Sequence, residues 1–517
     1  MPMRISGLAS GMDTDNMVAE LMKAERLKET KLKNKITELE WKQEKWSDLN
    51  NKLYSFYTGP LSKIRLDGTF NKKQASSTNE NKLLVSAGIG APVGNHNVQI
   101  KSVAGAQYVT GDKISTDING NDINLSTKLS EIGGTSTGGT TITMECGGKT
   151  ASLAVTRDTT IDEFLDTCEK VGLNASYDSN QKRFFISSKE SGLKNAFYIT
   201  QSIGDTEAGF KLENLGLSEV TKETNQDGTE VISTGSNVTF VPSSDAKIIY
   251  NGAEITSSSN TIDVNGLTFD LKNVTVGDET ISCTVSRDTQ AIYNSVRDYI
   301  KAYNGILKEL NDAYYADAVR GYEPLTDEQK ESMSEKQIEQ WEDKIKKSLL
   351  RRDDIVSYIS SSARTIMYKS VEVQGKNYAL SSFGISTAKY SEKGLFHIDG
   401  DQEDALTAVE PDKLMKAITE NPDAVQEVFN QLGKELYATM AEQMRSSDIS
   451  SALTFYNDKE MNDNLREYKL DLDYMEDKLA AKEDQYYKQF AAMEAALSKL
   501  NSQTNSLSAM LGTNNSK

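Results

Sequence analysis

The chain is poor in the side chains that carry most acid–base and metal chemistry. Among 517 residues there are two histidines, His96 and His397, and three cysteines. So few histidines leave a histidine-rich zinc site or a Ser-His-Asp arrangement little to draw on. Both lie in strand-like settings and read as satisfied surface or edge residues. The cysteines, Cys146, Cys168 and Cys283, are odd in number and widely spaced, which excludes a disulfide framework. Cys146 alternates with Ile142 and Met144, Cys283 lies between Ile281 and Val285, and Cys168 shares a helical stripe with Phe164 and Leu165. Buried, inert thiols are expected at all three.

Basic charge is also short. Lys and Arg number 58 against 76 Asp and Glu, for a net charge of −18. That balance argues against nucleic acid as a partner, since phosphate contact needs clustered cations. No apolar run approaches the length needed to cross a bilayer, so no membrane insertion is expected. The opening residues Met1-Pro2-Met3-Arg4-Ile5-Ser6 lack the apolar core of a secretory signal peptide, which taken alone points to the cytoplasm.

Motifs that would imply catalysis are imitated rather than present. Gly148-Lys149-Thr150 ends like a phosphate-binding loop, but Thr143 stands where that loop needs glycine. Gly88-Ile89-Gly90 lacks the rest of a dinucleotide fingerprint. The pair Asp353-Asp354 precedes Ile355, Tyr358 and Ile359 at helical spacing and reads as a helix start. No enzyme and no cofactor emerge.

What the chain has in abundance is helical periodicity at its two ends. Stepping by seven from Leu465 gives Leu472, Leu479, Tyr486, Met493, Leu500 and Leu507, apolar at every step. Such a stripe is a coiled-coil seam. The second apolar position drifts through Tyr468, Met475, Phe490, Leu497 and Leu511, so the seam is not strict. At the start, Asp13 or Thr14 can cap a helix that the pair Gly59-Pro60 should stop. Its apolar positions include Val18, Leu21, Leu32, Ile36, Leu39, Trp46, Leu49, Leu53 and Phe56. The two helices are long enough to lie side by side, the C-terminal one reaching about 70 Å. Glu29–Lys33, Glu38–Lys42 and Asp484–Lys488 add helix-favouring pairs. Burying the stripes matters more, at roughly 1.5–3 kcal/mol per large side chain. A lone hairpin of helices does not bury all of them, so the seams are expected to carry contacts with neighbouring subunits.

From about residue 70 to 290 the composition turns to Ser, Thr, Asn, Gly, Val and Ile, which suits strands and turns. Thr141 to Val155 reads as a hairpin about Gly147-Gly148, and Asn251-Gly252 and Asn265-Gly266 mark two more. Thr160 and Glu163 form a capping box for a short helix. Helix returns near Gln290, and Ser334 with Gln337 caps another. Phe383 to Ile398 reads as a strand pair, and Pro411 and Pro422 sit where short helices would begin.

The order of these pieces resembles one family. Gly7-Leu8-Ala9-Ser10-Gly11-Met12-Asp13-Thr14, with Leu21-Met22 and Ala24-Glu25-Arg26, is similar to the opening of the bacterial flagellar filament-cap proteins, the hook-associated protein 2 family. Val103-Ala104-Gly105-Ala106-Gln107 and Gly266-Leu267-Thr268-Phe269-Asp270 resemble segments of that family's head. Leu349-Leu350-Arg351-Arg352-Asp353 and Leu395-Phe396-His397-Ile398-Asp399 resemble its leg. The resemblance implies an α+β multidomain chain. Residues 1–65 would be the N-terminal heptad helix of stalk and leg, and residues 66–120 the first part of a head module. Residues 121–229 would form an inserted outer head module, and residues 230–289 the second, mostly β part of the head. Residues 290–460 would form a helical leg with a small strand pair, and residues 461–517 a heptad helix pairing with the first. It further implies export through the flagellum's own channel, with an export chaperone, and a ring of copies at the filament tip that guides flagellin into place. The head of such proteins can also bind a host receptor. A hook–filament junction protein and a simple surface adhesin are the rival readings. The first residues, through Gly11, are expected to order only on assembly.

Overall fold

The computed structural model describes residues 13–133, 139–204, 209–224, 230–236, 238–387 and 392–512. The expectation for the residues through Gly11 lies outside these. The chain divides into two compact units, one formed by Met1–Phe70 and Thr289–Lys517 and the other by Asn71–Asp288. The second therefore interrupts the first in sequence.

The chain enters through α1 (Thr14–Phe56), 43 residues capped by Asp13, whose carboxylate accepts from the Asn16 amide. Gly59-Pro60 does not stop it. The chain widens into a π-helical turn, Tyr57–Leu61, with Pro60 inside, then resumes as α2 (Ser62–Ile64). A wider turn accommodates the missing amide and the ring that would clash with the carbonyl four residues back. The detour buries Leu61 and Ile64 and stacks Tyr57 on Tyr437, whose other partner is the Arg65 guanidinium 4.0 Å from the ring centre.

The second unit holds two cores. In the first, an antiparallel sheet runs in the order β1 (Lys73–Ser77), β17 (Ile281–Arg287), β3 (Gly94–Ser102), β13 (Ala246–Tyr250), β14 (Ala253–Ser257). It shares its apolar core with a three-stranded sheet, β15 (Thr261–Val264), β16 (Leu267–Leu271), β2 (Leu83–Ala87). The hairpin turns need left-handed backbone, which Asn251 and Asn265 adopt at φ 48° and 52° ahead of their glycines. The second core lies among a five-stranded sheet, a four-stranded sheet and α4 (Ile161–Lys170). The five run β11 (Glu230–Thr234), β10 (Val220–Thr224), β9 (Phe197–Ser202), β5 (Thr141–Cys146), β6 (Lys149–Ala154). The four run β12 (Val238–Val241), β4 (Tyr108–Gly111), β8 (Arg183–Ser188), β7 (Leu173–Asp178), and a short α3 (Leu129–Ile132) closes one side. Thr160 and Glu163 make the reciprocal capping box of α4. Because β4 pairs with β12 on one side and β8 on the other, strands from before residue 121 and after residue 229 join this four-stranded sheet. The chain crosses between the two cores at the Gly105–Ser244 bridge.

Back in the first unit come α5 (Thr289–Tyr314), α6 (Asp327–Glu331), α7 (Glu335–Ser348) and α8 (Asp354–Met367). Two hairpins follow, β18 (Val371–Val373) with β19 (Lys376–Tyr378) and β20 (Ile385–Thr387) with β21 (Phe396–Ile398). The chain ends with α9 (Lys413–Glu420), α10 (Pro422–Gln443) and α11 (Asp458–Gly512). Pro422 occupies the first turn of α10, which runs 22 residues rather than a short helix. Asp353 caps α8 by accepting from the Ile355 and Val356 amides. All three cysteines are buried, and burial pushes the Cys168 thiol up to about 12 and Cys283 up to about 11. Among the described residues no helix is long and apolar enough to cross a membrane.

Candidate assembly surface: the paired terminal helices

Helices α1 and α11 run antiparallel, and polar pairs along their edges fix the register. Lys469 meets Glu40 at 2.8 Å, Lys33 meets Glu476 at 3.0 Å, Arg26 meets Glu483 at 3.2 Å, and Lys482 meets Glu25 at 3.0 Å. Each is largely solvent-exposed and contributes little alone. Together they exclude slipped pairings. Lys482 beside Glu25 holds that carboxyl below its ordinary range, and Glu29 with Glu476 raises Lys33. Of the pairs expected within α1, Glu29–Lys33 forms at 2.6 Å, whereas Lys42 turns to Asp353 at 3.3 Å. That choice leaves Glu38 half-buried near Glu323, and burial raises its carboxyl above the ordinary range.

The seam residues fall into three groups. Trp46, Leu49, Leu53 and Phe56 are buried, but in the globular core with α5, α8 and α10, and Leu39 packs against that core. Trp46 stacks on Tyr456, 5.4 Å away and nearly parallel, in the segment leading to α11. These positions therefore belong to an interior rather than to a two-helix seam.

The second group lines the helix pair. Leu479 is buried with Val18 and Met22, and Met475, Tyr486, Tyr487 and Phe490 pack around them. Ile36 is buried, while Leu32, Leu465 and Leu472 are half-buried. The Tyr486 hydroxyl reaches Glu25 at 3.3 Å.

The third group has no cover among the described residues. Met493 is exposed, and Leu500 and Leu507 are 60% and 61% exposed. For Leu500 and Leu507 the reason is length. At 55 residues α11 outruns the 43-residue α1, and the register carries its last turns past Thr14. Other exposed apolar residues lie off the heptad line, Leu470 with Tyr474 on α11 and Met17 with Leu21 on α1. Their spacing of four residues was the available signal for a second stripe. Leu511 lies where side chains are outside the described residues.

Set beside known proteins, the sequence matches two family models, the flagellar hook-associated protein 2 C-terminus over residues 243–502 and its N-terminus over residues 10–107. The two matches bracket the outer module. Flagellar hook-associated protein 2 of Halalkalibacterium halodurans is 26% identical over 98% of this chain and 99% of its own length. That of Escherichia coli K12 is 22% identical over 99% and 98%. A crystal structure of the E. coli flagellar cap protein FliD, domains D1 to D3, is similar at a TM-score of 0.49 and 17% identity, covering 76% of this chain and 95% of that one. The C-terminal model alone spans half of the sequence, and the chain belongs to the flagellar hook-associated protein 2 family.

Proposed function

We propose that this chain is a structural cap at the distal tip of the bacterial flagellar filament, outside the cell. Copies associate in a ring that promotes flagellin polymerisation and prevents loss of monomers. The observation that carries this reading is the uncovered apolar stripe on the last turns of α11. Leu500 and Leu507 are each more than half exposed on a stretch of α11 that the described residues of α1 do not reach. Burying one such leucine is worth roughly 1.5–3 kcal/mol, so a ring of copies or a flagellin subunit gains by covering it. Export apparatus and its chaperone are partners on the way out, and the β-rich modules can meet a host surface. The role is assembly rather than catalysis.

Deletion of the gene tests the reading. Flagellin should then accumulate as monomer in the medium, and filaments should return when the protein is supplied. Normal filaments in the deletion strain would sink the cap function and favour an adhesin or another axial component.

A further inference from the structure

Both ring nitrogens of His397 on β21 lie against carboxylates. Nδ1 is 2.6 Å from an Asp404 oxygen and Nε2 is 2.9 Å from a Glu392 oxygen. A neutral imidazole has one N–H and one lone pair, so it can satisfy only one of these contacts. The doubly protonated ring satisfies both. His96 provides the contrast: its Nε2 faces the Pro92 carbonyl and its Nδ1 faces the Tyr250 hydroxyl, a pair that the neutral ring serves.

Asp404 is also the organiser of the turn that follows β21. Its second oxygen accepts from the Leu406 amide, and its carbonyl accepts from the Thr407 and Ala408 amides. Gly400 donates to Thr407 across the turn, and the Thr407 hydroxyl donates to Ile398. This turn presents Leu406 and Val409 to solvent, the latter 92% exposed. Glu403 ties it to α5 through Arg297 at 2.8 Å and through Lys301.

We propose that His397 is a proton-operated clasp that holds the 399–410 turn, with its exposed Leu406 and Val409, to β21 and to the segment at Glu392. Among the described residues, the charged groups facing the ring are those two carboxylates, one from each side in sequence. Across the ladder β20 presents Ser386, and the cations Arg297 and Lys301 meet Glu403 instead. Partial burial opposes the charge, but the hydrogen bonds and charges of Asp404 and Glu392 outweigh it and raise the ring above its ordinary value. The sign follows. A raised folded value gives stability that is complete below about 6.5 and is lost as pH rises through the folded value. Deprotonation turns a lone pair toward one carboxylate and releases that side of the clasp. The device stands apart from the cap function.

With only two histidines in the chain, NMR titration resolves both rings. The His397 midpoint should lie above 6.5. Over the same interval, protection of the Leu406, Thr407 and Ala408 amides, corrected for intrinsic exchange, should fall about tenfold per unit of that elevation. Glu392→Gln, whose amide can serve a neutral ring, should bring the midpoint down and flatten the protection profile. His397→Gln should remove the pH dependence. A midpoint at or below 6.5, or protection unchanged across the titration in the wild-type protein, would overturn the clasp. Because Glu392→Gln retains a hydrogen-bonding partner, it decides the matter even where His397→Gln does not fold.

Discussion

Replacing Leu479 by alanine should open the helix pair without disturbing the core of the same unit. Leu479 is 9% exposed and meets Val18 and Met22 in a small cluster open on one side. Deleting a buried leucine side chain costs about 2–5 kcal/mol, and an open two-helix contact sits at the low end, about 2 kcal/mol. That corresponds to roughly a 30-fold increase in the population of the opened pair. Hydrogen exchange read by mass spectrometry should show peptides around Met475 to Phe490 exchanging about 30-fold faster, with those around Trp46 and Val428 unchanged. Leu500→Ala is the control, because Leu500 is 60% exposed and its loss should alter exchange in the isolated chain by no more than about twofold. Equal acceleration by both variants, or none by Leu479→Ala, would refute the division of the seam into an internal and an unpartnered part.

Three further outcomes follow from the same structure. Asp353→Ala removes the cap of α8 and the Lys42 pair, and should lower stability by about 1 kcal/mol in urea unfolding, with Asp353→Asn recovering most of it. Gly433→Ala should destabilise by about 1 kcal/mol, because an added Cβ would stand 3.1 Å from Ile64 and 3.3 Å from Arg65, and helix propensity returns only part of that cost. Glu38→Gln should raise stability at neutral pH. The native carboxyl holds its proton longer than the unfolded one, so wild-type stability falls as pH rises just above the ordinary carboxylate range, and the urea midpoint of the variant should lack that decline.

Local signals in the sequence carried a good part of this fold. The capping boxes at Thr160 and Ser334 and the left-handed turns at Asn251 and Asn265 rest on residues within four positions of one another. What sequence could not supply was partnership across distance. Strand β4 pairs with β12 and β8 from positions more than 70 residues away, a partnership that no local pattern announces. Pro60 reads locally as a stop, but burial of Leu61 and Ile64 carries the helix past it. For the assembly surface, the heptads told which face of each helix is apolar but not what covers it. Trp46 to Phe56 met α5, α8 and α10, while Leu500 and Leu507 met nothing described. The clasp around His397 was hidden for another reason. Its two carboxylates, five residues before and seven after, are unremarkable in a chain with 76 acids.

The most direct test supplies Leu500→Lys/Leu507→Lys protein to cells lacking the gene and weighs filament flagellin against flagellin in the medium. The isolated variant should unfold like wild type, since both side chains are exposed in the single chain. It should nevertheless leave flagellin as monomer, while the wild-type protein restores filaments. Normal filaments from the double variant would contradict the claim that the uncovered end of α11 is the surface through which the cap assembles.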